Sequence, residues 1–306
     1  MGRGGSWRVG RLLGAEVRIT PSLLVMGLLL VLLYAPQFDE LGANSYLVAA
    51  TLVVGLFVSV FVHEIAHVAA ARAFGMRVPS VTLHLLGGET EVLGASRRPA
   101  QEFVIAVVGP LASFLIGIVA LQSSRGLEPG VPYAVLWSIG VLNLLLAAVN
   151  MLPGLPLDGG RVFRALLWSI TGNEHLGVVV AARLGQLAAA GLVLWVLLTT
   201  ELGTAFSIAR LALAALVAVF LWQGATASLV VERQLAWAEH IDLVRLARPG
   251  RAPADAPPLR IDLSGREALL AMSAQPAAVY ALVDAAGRSD SFLLATDVDR
   301  VFREGP

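Results

Sequence analysis

Two histidines flank a glutamate in the stretch FVSVFVHEIAHVAAARAFG (57–75), at His63, Glu64 and His67. Residues four apart lie on one face of an α-helix, so His63 and His67 can offer two imidazole nitrogens to one metal ion, with Glu64 beside them as a base for water. The stretch otherwise reads like a membrane span. A charged side chain at the centre of such a span costs about 2.5–3.5 kcal/mol on insertion scales, which sets three ionisable groups in one turn apart from ordinary polar packing. A catalytic zinc usually takes three protein ligands. The chain has no cysteine, so the third must be His, Asp or Glu. Glu89, Glu91, Glu102 and Asp158 are the acidic candidates on the same side of the predicted membrane. Asp158 is preferred, because Pro153, Pro156, Gly159 and Gly160 break the helix around it and let its carboxylate turn into the bundle.

The elements that must position these residues follow from composition. The chain has 306 residues, 57% of them hydrophobic and 14% charged. Several apolar runs approach or exceed the ~20 residues that a membrane-spanning helix needs. Six spans are predicted, at roughly 21–36, 46–73, 101–122, 133–152, 177–198 and 204–231. Between the second and third, MRVPSVTLHLLGGETEVLG (76–94) has a β-branched run and a Gly87–Gly88 turn signal, and predicts a β-hairpin. His84 in that segment reads as structural. Between the fourth and fifth spans, NMLPGLPLDGGRVFRALLW (150–168) is rich in helix breakers and then becomes amphipathic. Irregular backbone at membrane depth is tolerated only where it is buried in protein or lines a wet cavity.

The expected fold is a polytopic α-helical membrane protein of about six transmembrane helices, with a short β-hairpin after the second and a small C-terminal α/β module. The boundary is placed between a membrane domain at 1–235 and a module at 236–306, with RPGRAPADAPP (248–258) as a linker. The 22 basic residues, all arginine, balance 22 acidic ones, so no net field favours nucleic acid. Arginines concentrate on one side of the predicted spans, which puts both termini in the cytoplasm. Arg183 and Arg210, near span ends, are expected to snorkel. The N-terminus shows no cleavable signal. The lysine-free, Ala- and Arg-rich composition suggests a bacterial source, and with it the plasma membrane.

HEIAH in a membrane span, followed two spans later by NMLPGLPLDGG, resembles the intramembrane metalloproteases called site-2 proteases. Their second motif, N-x-x-P-x-x-P-x-D-G, is matched by Asn150, Pro153, Pro156, Asp158 and Gly159. The resemblance covers roughly residues 10–232 and includes LHLLGGET and GPLAS (109–113). Asparagine would be commoner at the place of Ser113, which is assigned no role. The resemblance implies one Zn2+ per chain on His63, His67 and Asp158, with Glu64 as general base. It also implies that Asn150 stabilises the oxyanion. The implied substrate is a single-span membrane protein, cut in regulated intramembrane proteolysis. From its extended pattern, the hairpin at 77–93 could pair with the substrate as an added strand.

The tail, 240–304, is similar to a single cystathionine-β-synthase (CBS) module, and Thr296 and Asp299 match the place where such modules hold a ribose. That resemblance implies an adenine nucleotide ligand. A homodimer could supply the second module of the usual pair. The alternative reading is a transporter or channel that binds a permeating metal at His63, His67 and Asp158. It would need polar groups continuing to the far side, where the spans offer few beyond Gln186, Gln223 and the two arginines.

Overall fold

The computed structural model describes residues 5–84, 87–93, 96, 98–200, 205–238, 243–284 and 286–304. The chain forms two compact units, Met1–Val92 with Ser96–Gly172, and Asn173–Pro306 with Leu93–Ala95. Six helical segments are long and apolar enough to cross a membrane: Pro21–Leu41, Ser45–Ala73, Pro99–Ser124, Val131–Asn150, Glu174–Thr199 and Arg210–Gln234. They correspond one to one with the predicted spans.

The first unit opens with strands β1 (Trp7–Leu12) and β2 (Ala15–Ile19), joined where Leu13 and Gly14 adopt positive φ. Helix α1 (Pro21–Tyr34) follows and tightens into a 3-10 segment at Ala35–Leu41. Helix α2 (Ser45–Ala73) begins where the Asn44 side chain accepts the Leu47 N–H, satisfying one of the orphan donors of its first turn. It runs out at Gly75, whose positive φ a residue with a Cβ adopts only under strain. Strands β3 (Arg77–His84) and β4 (Gly87–Leu93) come next. Helices α3 (Pro99–Ser124) and α4 (Val131–Asn150) both start with proline in the first turn, where its missing N–H costs nothing. Helix α5 (Asp158–Thr171) closes the unit.

The predicted hairpin is half of a larger sheet of order β1-β2-β3-β4. Strand β2 pairs in parallel with β3, with Val17 opposite Val81 and Ile19 opposite Leu83. The N-terminal strands were missed because WRVGRL and AEVRI are short, and because AEVRI joins the sheet through β3, two spans away. Ala15, Val78 and Val81 of this sheet pack with Val68 and Ala71 of α2 and Ile105 of α3, fixing the sheet to the helix that carries His63 and His67. The Arg72 guanidinium lies against Gly14 and donates to the Val78 carbonyl at 3.1 Å. Between α2 and α4, the buried Asn143 amide donates to Ser59 Oγ at 3.0 Å.

The second unit holds α6 (Glu174–Thr199) and α7 (Ala205–Ala238), packed through buried Ala181, Ala182, Ala189, Ala218 and Ala225. Gln186 links them by donating to Thr226 Oγ1 at 3.1 Å, and Arg183 donates to the Gln186 oxygen at 2.9 Å. Arg210 bonds Thr199 Oγ1 at 2.8 Å and stacks over Trp195. The tail follows as α8 (Leu243–Leu246), β5 (Arg248–Pro249), β6 (Pro258–Arg260), α9 (Gly265–Ala274), β7 (Val279–Val283), β8 (Ser291–Leu294) and α10 (Ala295–Glu304). Its sheet order is β5-β8-β7-β6, around a core of Leu259, Ala268, Met272, Tyr280, Leu282, Leu293 and Val298. The start of the predicted linker therefore pairs with β8 as an edge strand. Arg266 of α9 reaches Glu232 of α7 at 3.3 Å and Glu174 of α6 at 3.4 Å, while His175 meets Glu232 at 3.0 Å.

Candidate metal centre

His63 and His67 sit one turn apart on α2, both 4% exposed, and Asp158 begins α5 after the loop 151–157. The loop carries a cis Leu155–Pro156 bond. Their approach depends on glycine. A Cβ at Gly159 would lie 2.4 Å from the Leu152 carbonyl oxygen, and one at Gly160 2.3 Å from the Leu155 nitrogen. The first turn of α5 is thus pressed against the backbone of its own loop, which directs the Asp158 carboxylate back towards α2.

The three ligand atoms form a nearly equilateral triangle. His63 Nε2 is 3.1 Å from Asp158 Oδ2, His67 Nε2 is 3.2 Å from the same oxygen, and the two Nε2 atoms are 3.2 Å apart. A tetrahedral ion with bonds of about 2.0–2.1 Å has its ligand atoms about 3.3 Å apart, so the triangle matches one face of a zinc coordination shell. The far ring nitrogens are engaged elsewhere. His67 Nδ1 lies 2.6 Å from the Ile105 carbonyl, which can only accept, so this nitrogen carries the proton and Nε2 presents a lone pair. His63 Nδ1 meets Ser113 Oγ at 3.0 Å. Such outer partners fix the tautomer and orientation of a ligating imidazole. A cation at the triangle would satisfy lone pairs that otherwise face one another.

Helix α3 supplies three features that the sequence did not disclose. Ile105 and Ser113 orient the rings, and Gly109 between them gives the triangle room: a Cβ there would lie 2.2 Å from His67 Nε2 and 2.8 Å from His63 Nε2. The motif GPLAS was visible, but its job depends on a contact between helices that spacing along one chain does not reveal.

Glu64 is 7% exposed and points to the sheet. Thr90 of β4 donates its hydroxyl to Glu64 Oε2 at 2.7 Å, and a Cβ on Gly88 would meet Glu64 Cγ at 2.3 Å. The other acidic candidates divide. Glu102 is buried, but its carboxylate takes Arg161 Nε at 2.9 Å, Arg164 Nη2 at 2.7 Å and the Ser96 hydroxyl at 2.6 Å. It serves as counter-charge to two arginines and is absent from the His-His-Asp group. The side chains of Glu89 and Glu91 lie outside the described residues. Asn150 is half-buried at the end of α4, where the loop to Asp158 starts. Thr296 and Asp299 are exposed on α10, and Asp297 between them pairs with Arg248 at 2.7 Å.

Residues 51–129 and 124–198 match the family model for peptidase family M50. Over this span, just under half of the chain, the sequence is similar to the M50 family. Individual relatives agree with that match. The chain is 37% identical over 187 residues to the provisionally named zinc metalloprotease sll0528 of Synechocystis, covering 58% of this chain and 48% of that one. It is 34% identical over 161 residues to the zinc metalloprotease MJ0392 of Methanocaldococcus jannaschii, covering 52% of this chain and 46% of that one. The chain thus spans about half the length of these relatives. Among solved structures it resembles the site-2 protease from Methanocaldococcus jannaschii, with a TM-score of 0.54 and 27% identity over 73% of this chain and 94% of that one. The His-His-Asp group and these relatives, named as zinc metalloproteases, together support one Zn2+ in a multi-pass membrane protein.

Proposed function

We propose that this chain is the catalytic core of an intramembrane zinc metalloendopeptidase that hydrolyses peptide bonds of membrane-spanning or membrane-proximal substrates. The observation that carries the reading is the triangle of His63, His67 and Asp158, with edges of 3.1–3.2 Å, beside the buried Glu64. These three residues hold one Zn2+, which when bound supplies Lewis acidity to the reacting water and carbonyl. Glu64 accepts a proton from water as its oxygen adds to the scissile carbonyl carbon. It then passes that proton to the nitrogen of the leaving amine as the C–N bond breaks. Asn150 offers its amide N–H to the carbonyl oxygen as negative charge develops there.

A substrate helix has no free backbone donors and must open locally before a carbonyl can react. The sheet suits an opened segment, because β4 is its edge on the Glu64 side and can accept another strand. Strand β3 cannot take this part, being flanked by β2 and β4. In the same reading the substrate is a single-span protein cut in regulated intramembrane proteolysis. Both termini lie in the cytoplasm, at a bacterial plasma membrane. The tail acts as a CBS-like module that binds an adenine nucleotide near Thr296 and Asp299 and is completed by the module of a second copy.

The test is zinc per chain in purified protein, together with cleavage of a panel of single-span fusions, for wild type, Glu64→Ala and Asp158→Ala. The expected outcome is about one zinc in wild type and Glu64→Ala, less in Asp158→Ala, and cleavage by wild type alone. Cleavage surviving in Glu64→Ala would falsify the assignment of the base. Equilibrium binding of ATP, ADP and AMP to the full chain checks the tail, and no affinity for any of them removes the nucleotide.

A further inference from the structure

We propose that Thr90 is the positioning residue for the Glu64 base, so that the edge strand of the sheet sets the orientation of the group that moves the proton. This rests on the reading of Glu64 given above. A glutamate side chain has three rotatable bonds, and its two carboxylate oxygens are equivalent until a neighbour distinguishes them. Here the Thr90 hydroxyl, donating at 2.7 Å, occupies Oε2. Hydrogen bonds to a charged acceptor are short and about twice as strong as neutral ones, which suits the observed distance. Oε1 is thereby designated for the attacking water.

A second contact restricts the same side chain from the same strand. Gly88 lies two residues before Thr90, and successive side chains of a strand alternate between faces, so both positions face the same way. A Cβ at Gly88 would stand 2.3 Å from Glu64 Cγ and 2.7 Å from Oε1. The backbone of β4 at Gly88 and the hydroxyl at Thr90 together form a slot for the glutamate, steric along its stem and polar at its tip. Strand β4 is at the edge of the sheet, and its Val92 packs against the core shared with α2 and α3. A peptide that adds to this edge aligns with the strand that holds the base. The reacting carbonyl and the proton acceptor then share one frame.

Thr90→Val, nearly the same shape without the hydroxyl, tests this against Thr90→Ser, which restores it. For Thr90→Val the expected result is a fall in kcat of about 10- to 100-fold, the range implied by losing a hydrogen bond to a charged group. KM, zinc per chain and the thermal midpoint in detergent stay at wild-type values, and Thr90→Ser recovers most of kcat. Wild-type kcat in Thr90→Val overturns the proposal. So does loss of zinc in parallel with kcat, or a Thr90→Ser variant as slow as Thr90→Val, since either assigns Thr90 to packing. A readout independent of turnover separates this outcome from failure of the protease reading. The infrared carboxylate band that differs between wild type and Glu64→Gln should shift in Thr90→Val as its hydrogen bond is lost. If wild type cleaves no fusion, the protease reading fails, and the position of that band still decides whether Thr90 holds Glu64.

Discussion

At the scale of single residues, the metal centre depends on side chains that coordinate nothing. Gly109 is the sharpest case. A methyl group there falls 2.2 Å from His67 Nε2, so Gly109→Ala is expected to reduce zinc per chain to near zero while helix content by circular dichroism is preserved. Full zinc occupancy in that variant would mean that α3 can retreat. Ser113→Ala is milder. It removes the partner of His63 Nδ1, and competition with a chelator should show zinc held about 10- to 100-fold more weakly. The sequence pointed to His63, His67 and Asp158, which the structure groups, because coordination demands particular residue types and, within one helix, a particular spacing. It was silent about Gly109, Ser113 and Thr90. Their partners lie tens of residues away, and glycine, serine and threonine occur everywhere for other reasons.

Among the elements, α5 and the loop before it do the delivering. The glycine pair after Asp158 reads in the sequence as a helix breaker, yet both residues lie within the first helical turn and are required by the loop folded against them. The same helix carries Arg161 and Arg164, which reach back to Glu102 on α3. Removing one partner of a buried ion network leaves uncompensated charge, at a cost of about 3–5 kcal/mol. Glu102→Ala is therefore expected to lower the thermal midpoint in detergent sharply, and Glu102→Gln, which keeps an acceptor, to lower it less. Equal midpoints for Glu102→Ala and wild type would show the arginines satisfied by other means. The spans were readable from hydropathy and the hairpin from its extended runs, although Gly87 and Gly88, read as its turn, lie in β4. The joining of β2 to β3 was not, because parallel pairing leaves no local turn signal and links strands on either side of two helices.

For the molecule as a whole, the division into units groups α6 and α7 with the tail. Arg266 ties α9 to Glu232 and Glu174, so the tail is fastened to the helices of its own unit by ion pairs as well as by the chain. Arg266→Glu places like charges together. Limited trypsin digestion should then release a tail fragment faster than from wild type, with zinc per chain unchanged, and Glu232→Arg in the same chain should slow that release. An unaltered digestion rate in Arg266→Glu would show that apolar contacts hold the tail alone. The triangle also has a history in time. His63 and Asp158 are 95 residues apart, so a ribosome adding about 5–20 residues per second makes the first roughly 5–20 s before the second. During that interval the growing polypeptide carries a base and two imidazoles in the bilayer without the ligand that completes the centre. Under the proposed reading, the site is complete only once four spans and α5 have been made.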